Sequence, residues 1–338
     1  MSTLQRRRVA GKEGSSSPLP NGRESPVVVE RGDDSKYERK IAYDPQDIGT
    51  SQEEAKFPKL TLMEEVLLMG LKDKQGYLSF WNDNLSYALR GCILMELAFR
   101  GKIAVVNDSI RKRLALSDRY VEVIDDKITG EALLDETIKI MKTSEPLTVG
   151  TWIDYLSGET WNLSKISYQL KQVRDRLLKG LVDKGILRTE KRNFFLFDMP
   201  THPVAEGAAK DEIRRRVIML LTARTILIPD SPYFSEEISF RYLRSIALIG
   251  GAYAGNVLEN VLTNLSYEAR DHAFNRADEL LADYSEHPFA QRALGLGGVG
   301  ANLSSLVSEE LENNQGKELQ IEVVAAVLSV YAKLDSIL

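Results

Sequence analysis

Between Trp161 and Arg192 the chain carries nine Lys or Arg against three Asp or Glu, although its 44 basic and 49 acidic residues leave the whole protein at net −5. The chemistry open to such a segment is anion binding. Arg offers a planar fork to a pair of oxygens, and Lys a compact point charge. Lys171 and Arg174 stand three residues apart, a spacing that brings two side chains to neighbouring points on one helical face. Further along, Phe194, Phe195, Leu196 and Phe197 are consecutive, so no alternation hides one face and solvates the other. Such a run calls for a second surface, either another subunit or lipid.

Other chemistry is missing from the sequence. Three histidines (His202, His272, His287) and one cysteine (Cys92) make no metal-ligand set, and no cofactor is expected. There is no Gly-x-Ser-x-Gly, Walker loop or His-Glu-x-x-His pattern. The cluster Gly250-Gly251-Ala252-Tyr253-Ala254-Gly255 looks like a phosphate loop, but it lacks a following Lys-Ser/Thr and a strand before it, so close helix packing is the reading. The acid pairs Glu64-Glu65 and Asp125-Asp126 read as solvated faces. Nothing here argues for catalysis.

The basic segment reads as one long amphipathic helix from Trp161, with Ile166, Leu170, Val173, Leu177 and Leu181 on its buried stripe. Gly185 stands where a left-handed cap would end it. A β-hairpin follows, with Lys191-Arg192-Asn193 as its expected tip. Upstream, Thr61 and Glu64 fit a capping box opening a helix over 62–69. Asn82-Asp83-Asn84 caps a longer helix whose stripe is Leu85, Leu89, Ile93 and Leu97, closed by Gly101. Residues 102–106 and 120–124 read as strands. Residues 129–141 and 148–156 read as helices. Beyond the hairpin, helices are expected over 206–225, 240–249, 256–281 and 319–338.

The fold class that results is mostly α: a single globular helical domain over 57–338, with a few short strands and a protruding β-hairpin. Residues 1–56 carry ten basic and ten acidic residues, Ser and Pro clusters and few aromatics, a composition that predicts a disordered tail. Within it, Arg6, Arg7 and Arg8 form a compact cationic spot. The lone cysteine and the missing N-terminal apolar region point to the cytosol. The longest apolar run, nine residues over 246–254, is far short of the roughly 20 that a spanning helix needs.

Two binding classes compete for the basic segment. A helix followed by a hairpin resembles a winged-helix nucleic-acid binder, with Lys171, Arg174 and Arg188 on phosphates. An acidic protein with an apolar hairpin fits that poorly, since nucleic-acid binders show a basic footprint. The other class is a lipid-surface binder whose convergent donors take a phosphorylated headgroup.

The blocks TLMEEVLLMGLKDKQGYLSFWNDNLSYALRGCILMELAFRGKI, LLDETIKIMK, WIDYLSGETWN, YQLKQVRDRLLKGLVDKGILRTEK, NFFLFDMPTHP and GAYAGNVLENVL closely resemble the Golgi phosphoprotein 3 family. The likeness covers about 58–338, and the opening MSTLQRRRV is similar to that of the family's fungal members. The resemblance implies a peripheral, non-enzymatic protein moving between the cytosol and the cytosolic face of Golgi membranes, where it binds phosphatidylinositol 4-phosphate. It implies an adaptor that retains glycosyltransferases by linking their cytosolic tails to coatomer, with no nucleic acid as partner. The headgroup pocket it implies falls on Trp81, Arg90, Lys171 and Arg174. Coatomer contact falls on Arg6, Arg7 and Arg8. Self-association, to a homotetramer, falls on the hairpin from Glu190 to Thr201 with Phe194, Phe195, Leu196 and Phe197.

Overall fold

Thr61 and Glu64 form the capping box that their spacing predicts: the Glu64 amide donates to Thr61 Oγ1, and the Thr61 amide donates to the Glu64 carboxylate. They open α1 (Leu62–Gly70), the first helix of a computed structural model that describes residues 57–78, 83–159, 163–194, 197–289 and 298–334. All of these belong to one unit, Pro45–Leu338. The segment 1–56, expected to be a tail, lies outside the described residues, and Arg6, Arg7 and Arg8 with it.

Every residue of α1 is buried, Glu64 and Glu65 included, so the expectation of a solvated acidic face there is corrected. Each acid has a cation. Lys184 Nζ lies 2.7 Å from Glu64, and Arg216 pairs with Glu65. Burial raises both carboxyl pKa values, that of Glu65 to about 7 against the pull of Arg216. Asp125 and Asp126 do lie at the surface, paired with Lys102 and Lys142.

The next helix, α2 (Asp83–Phe99), buries the expected stripe and also Ala88, Cys92, Leu94 and Met95, so it is covered on every side. The predicted strands are β1 (Ile103–Val105) and β2 (Tyr120–Val123), antiparallel with Ile103 opposite Val123. After α3 (Ala132–Lys142), the short β3 (Leu147–Thr148) joins the far edge of β2, giving a sheet ordered β1-β2-β3. Thr148 then caps α4 (Val149–Ser157), accepting from the Thr151 amide.

Downstream come α5 (Val173–Asp183), the hairpin of β4 (Glu190–Phe194) and β5 (Phe197–Thr201), and α6 (Gly207–Thr222). The helix expected over 240–249 runs on as α7 (Arg241–Ala254), through Gly250 and Gly251. A Cβ at Gly250 would sit 2.6 Å from Leu328 Cδ2, and one at Gly251 2.7 Å from Cys92 Sγ. Close packing is what these glycines permit. The single helix expected over 256–281 is two, α8 (Leu258–Leu262) and α9 (Tyr267–Tyr284), divided where Ser266 caps the second. The last two are α10 (Leu303–Asn313) and α11 (Glu318–Leu334).

The core forms where α1, α4, α7 and α11 pack around α2. A carboxylate sits inside it. Glu96 accepts from Arg244 Nη1 and Nη2 at 3.0 and 3.2 Å and from Arg100 Nε at 2.8 Å. Burial alone would raise its pKa, but the two guanidiniums more than reverse this and hold it down at about 2.

Candidate functional site

The basic segment does not form the one long helix expected from Trp161. Among the described residues it is a 3-10 turn, Leu163–Tyr168, then a break, then α5. Gln172 takes the left-handed conformation at φ 54°, with no glycine there to signal it. The cause lies in the neighbours. The Leu170 amide donates to the Leu156 carbonyl at the end of α4, and Leu170's own carbonyl accepts from Arg90 Nη2 at 3.1 Å. Groups that a continuous helix needs for itself are thus bonded to α4 and α2. Ile166, placed on the buried stripe by periodicity, is 43% exposed, whereas Leu170, Val173, Leu177 and Leu181 are buried. Gly185 ends the segment at φ 75°, as expected.

This break changes what Lys171 and Arg174 are. They are not a pair along a helical face: Lys171 precedes α5 and Arg174 lies in its first turn, both exposed. Gln172, the N-cap residue, gives the helix no side-chain hydrogen bond. Two cations therefore stand at the end of a helix dipole that is already positive, beside amides pointing outward. Asp175 in the same turn accepts from Arg174 Nε at 3.1 Å, with both side chains about half exposed or more.

Arg90 lies behind the site, with 5% of its surface exposed. Its Nε donates to the Leu156 carbonyl at 3.3 Å, Nη1 to the Ser86 carbonyl and hydroxyl, and Nη2 to Leu170. Burial lowers its pKa to about 10, which still leaves it charged at neutral pH. It ties the last turn of α4 to the residue before Lys171. The structure thus separates the expected set by role: Lys171 and Arg174 outside, Arg90 within. Trp81 lies outside the described residues.

The base of the hairpin closes the other flank. His202 is pushed to a lower pKa by burial and by Arg174, against the opposing charge of Asp175. Its amide donates to the Gly76 carbonyl at 2.7 Å, and the Val204 amide to the Asp73 carbonyl at 3.0 Å. Gly76 sits at φ 70°, and any Cβ there would be 2.3 Å from Pro203 N. Only glycine lets the loop after α1 lie this close to the hairpin. Neither the nearness of His202 nor the bonds of Arg90 had a signal in the sequence.

The hairpin itself is present, with Glu190 opposite Thr201 and Phe194 opposite Phe197. Its tip is corrected: Lys191, Arg192 and Asn193 lie within β4, while Phe195 and Leu196 lie outside the described residues. Thr201 is buried and donates to the Glu190 carbonyl at 3.2 Å. Among the described residues, no group of His, Cys, Asp or Glu is placed to hold a metal ion, and no helix is long and apolar enough to cross a membrane.

The family model described as Golgi phosphoprotein 3 (GPP34) matches residues 62–296. The chain is 58% identical over 339 residues to the vacuolar protein sorting-associated protein 74 of Schizosaccharomyces pombe, covering 99% of each chain. It is 54% identical over 337 residues to the protein of the same name in Eremothecium gossypii, covering 99% of this chain and all of the relative. At that coverage the aligned span takes in most of 10–56 as well.

Proposed function

Because the chain belongs to the Golgi phosphoprotein 3 family, we propose that it is a peripheral, non-enzymatic protein of the cytosolic face of Golgi membranes that binds phosphatidylinositol 4-phosphate at the start of α5. The observation that carries this reading is the pair Lys171 and Arg174 at a helix N-terminus without a side-chain cap. Like charges at such an end cost about 0.3–1 kcal/mol each, and a bound anion reverses the sign of that term. A phosphomonoester has the charge and the oxygens to meet an ammonium, a guanidinium and outward amides together. In this reading Trp81 lies at headgroup level, and Arg90 positions the Lys171 turn without meeting the lipid itself.

The remaining roles follow from the family. The protein retains glycosyltransferases by joining their cytosolic tails to coatomer, with Arg6, Arg7 and Arg8 on coatomer. The hairpin, with its Phe194–Phe197 run, supports association into a tetramer. The names of the two relatives, vacuolar protein sorting-associated proteins, fit a sorting role. Nucleic-acid binding is disfavoured because cations further along α5 are engaged by neighbours. Arg176 lies 2.5 Å from Glu136, and Lys184 lies between Glu64 and Glu131.

The test is flotation with liposomes containing single phosphoinositide isomers. Wild type is expected to float with the 4-phosphate in preference to the other isomers, and K171A/R174A to lose binding by about a hundredfold or more. That figure follows from two charge-assisted bonds at about 1.5–3 kcal/mol each and about 1.4 kcal/mol per decade. Equal flotation with every isomer, or undiminished flotation of the variant, overturns the assignment. For the hairpin, deleting residues 190–201 should lower the mass seen by sedimentation equilibrium. An unchanged oligomer would rule out that role.

A further inference from the structure

The break before α5 leaves Ile166 where periodicity did not put it: 43% exposed, on the 3-10 turn that leads to Lys171. Several contacts hold this turn. Lys165 Nζ stands 4.9 Å from the ring centroid of Tyr168 and 5.9 Å from that of Tyr155, and Glu145 lies 3.9 Å from the same ammonium. Tyr168 meets Trp152 edge-on at 6.0 Å, and Gln169 Nε2 donates to the Ser157 carbonyl. With the Leu170 amide on the Leu156 carbonyl, these contacts fasten one side of the turn to α4. On the other side Ser164, Ile166 and Ser167 face solvent. An isoleucine is thus presented outward on backbone that is already ordered before any partner arrives.

Charge says what kind of surface it meets. The residues from Leu163 to Arg174, LSKISYQLKQVR, contain Lys165, Lys171 and Arg174 and no Asp or Glu, in a chain whose 49 acids outnumber its 44 bases. Cations, tyrosines and an exposed aliphatic side chain in one acid-free stretch are the composition of a segment that lies in the headgroup region of an anionic bilayer. A single exposed isoleucine is ordinary on a protein surface. One held five residues from Lys171, at most about 18 Å along the chain, is within reach of the same membrane. We propose that the Leu163–Tyr168 turn is a second membrane contact, in which Ile166 enters the boundary between headgroups and acyl chains while Tyr155, Lys165 and Tyr168 lie among the headgroups. This rests on the reading of Lys171 and Arg174 as the phosphoinositide site, and adds a contact that is blind to the headgroup isomer. The phosphate contact selects the lipid. Burying the exposed part of the isoleucine strengthens binding to that bilayer by about tenfold.

The chain's one cysteine, Cys92, is fully buried, so I166C in the full-length protein can be labelled at that position alone. The label is the polarity-sensitive fluorophore NBD, and the probe is a phosphatidylcholine vesicle containing phosphatidylinositol 4-phosphate, with or without nitroxide on its acyl chains. The label is expected to brighten on these vesicles and to be quenched by the nitroxide. I128C, labelled in the same way, should do neither, because Ile128 is 83% exposed and lines a cleft with Lys184 at the far end of α5. I166S should weaken vesicle binding by about tenfold, with its melting temperature and its preference among phosphoinositide isomers unchanged. I166L should recover most of that loss. A label at position 166 that stays in water while the vesicles carry the protein overturns the proposal. So does an equal response at position 128, or I166S protein that binds as tightly as wild type. Those results leave the headgroup site standing. Wild type that floats with no phosphoinositide brings down the headgroup site, and this proposal with it.

Discussion

The arginines of the core and those at the start of α5 are the same residue in opposite situations. Arg244 and Arg100 converge on one buried carboxylate, Glu96, and Arg216 pairs with Glu65 under α6. Arg174 and Lys171 stand in solvent at the positive end of a dipole, with Asp175 beside Arg174. Inside, charge is satisfied by the fold and removing it costs stability. Outside, charge faces solvent, and on the proposed function removing it costs binding. Arg90 lies between the two: buried like the first group, but bonded to the turn that carries the second.

The largest expected effect is in the core. E96Q leaves Arg244 and Arg100 without their carboxylate and should cost about 3–5 kcal/mol in denaturant unfolding. The sign of the pH effect follows from its depressed pKa. The stability that Glu96 contributes is full above the unfolded value near 4.5 and is lost as pH falls toward about 2. A variant as stable as wild type, with the same acid limb, would erase the contrast between the two regions. Next, R90A takes the guanidinium from the Leu170 carbonyl and the second donor from that of Leu156, and should cost about 2–4 kcal/mol while also weakening flotation. R90K should recover little, since one ammonium cannot reproduce a planar fork across three directions. If R90A loses lipid binding with no change in stability, Arg90 belongs with the outer group. The smallest effect is that of K171A/R174A on unfolding. Its melting temperature should be unchanged or slightly raised, because cations leave the positive end of α5 and about 0.3–1 kcal/mol each is the scale of that term. A clear drop would show that these side chains hold the fold.

What was legible in the sequence follows the same division. Helices announced by a cap and an apolar stripe, such as α1 with Thr61 and Glu64 or α2 with Leu85 and Leu89, lie close to where the pattern put them. Two strands of the small sheet and the hairpin were legible as β-prone runs with turns between them, but the two-residue β3 was not. Periodicity failed where tertiary bonds override it. Nothing local marks Gln172 as a break, because the cause is Arg90, some eighty residues away. Burial of Glu64 and Glu65 was hidden for the same reason, since their partners Lys184 and Arg216 come from distant helices. At the candidate site, charge singled out Lys171 and Arg174, but the helical spacing that paired them fails at the break at Gln172. Their place at a helix end, and the retreat of Arg90 behind them, came only with the structure.

The contact of α11 with α2 has a consequence for the history of each molecule. Tyr331 donates to the Ala88 carbonyl and lies where a Cβ at Gly91 would be, 2.2 Å from its hydroxyl. One wall of the central helix is therefore supplied from more than 200 residues downstream. At about 5–20 residues per second, a ribosome finishing α2 needs roughly 10–45 s to reach α11. For that interval Leu89, Cys92 and Ile93 belong to a nascent chain whose closing helix has not been synthesised. Cooperative folding of this core waits for that helix, and the emerging chain needs protection from aggregation until then.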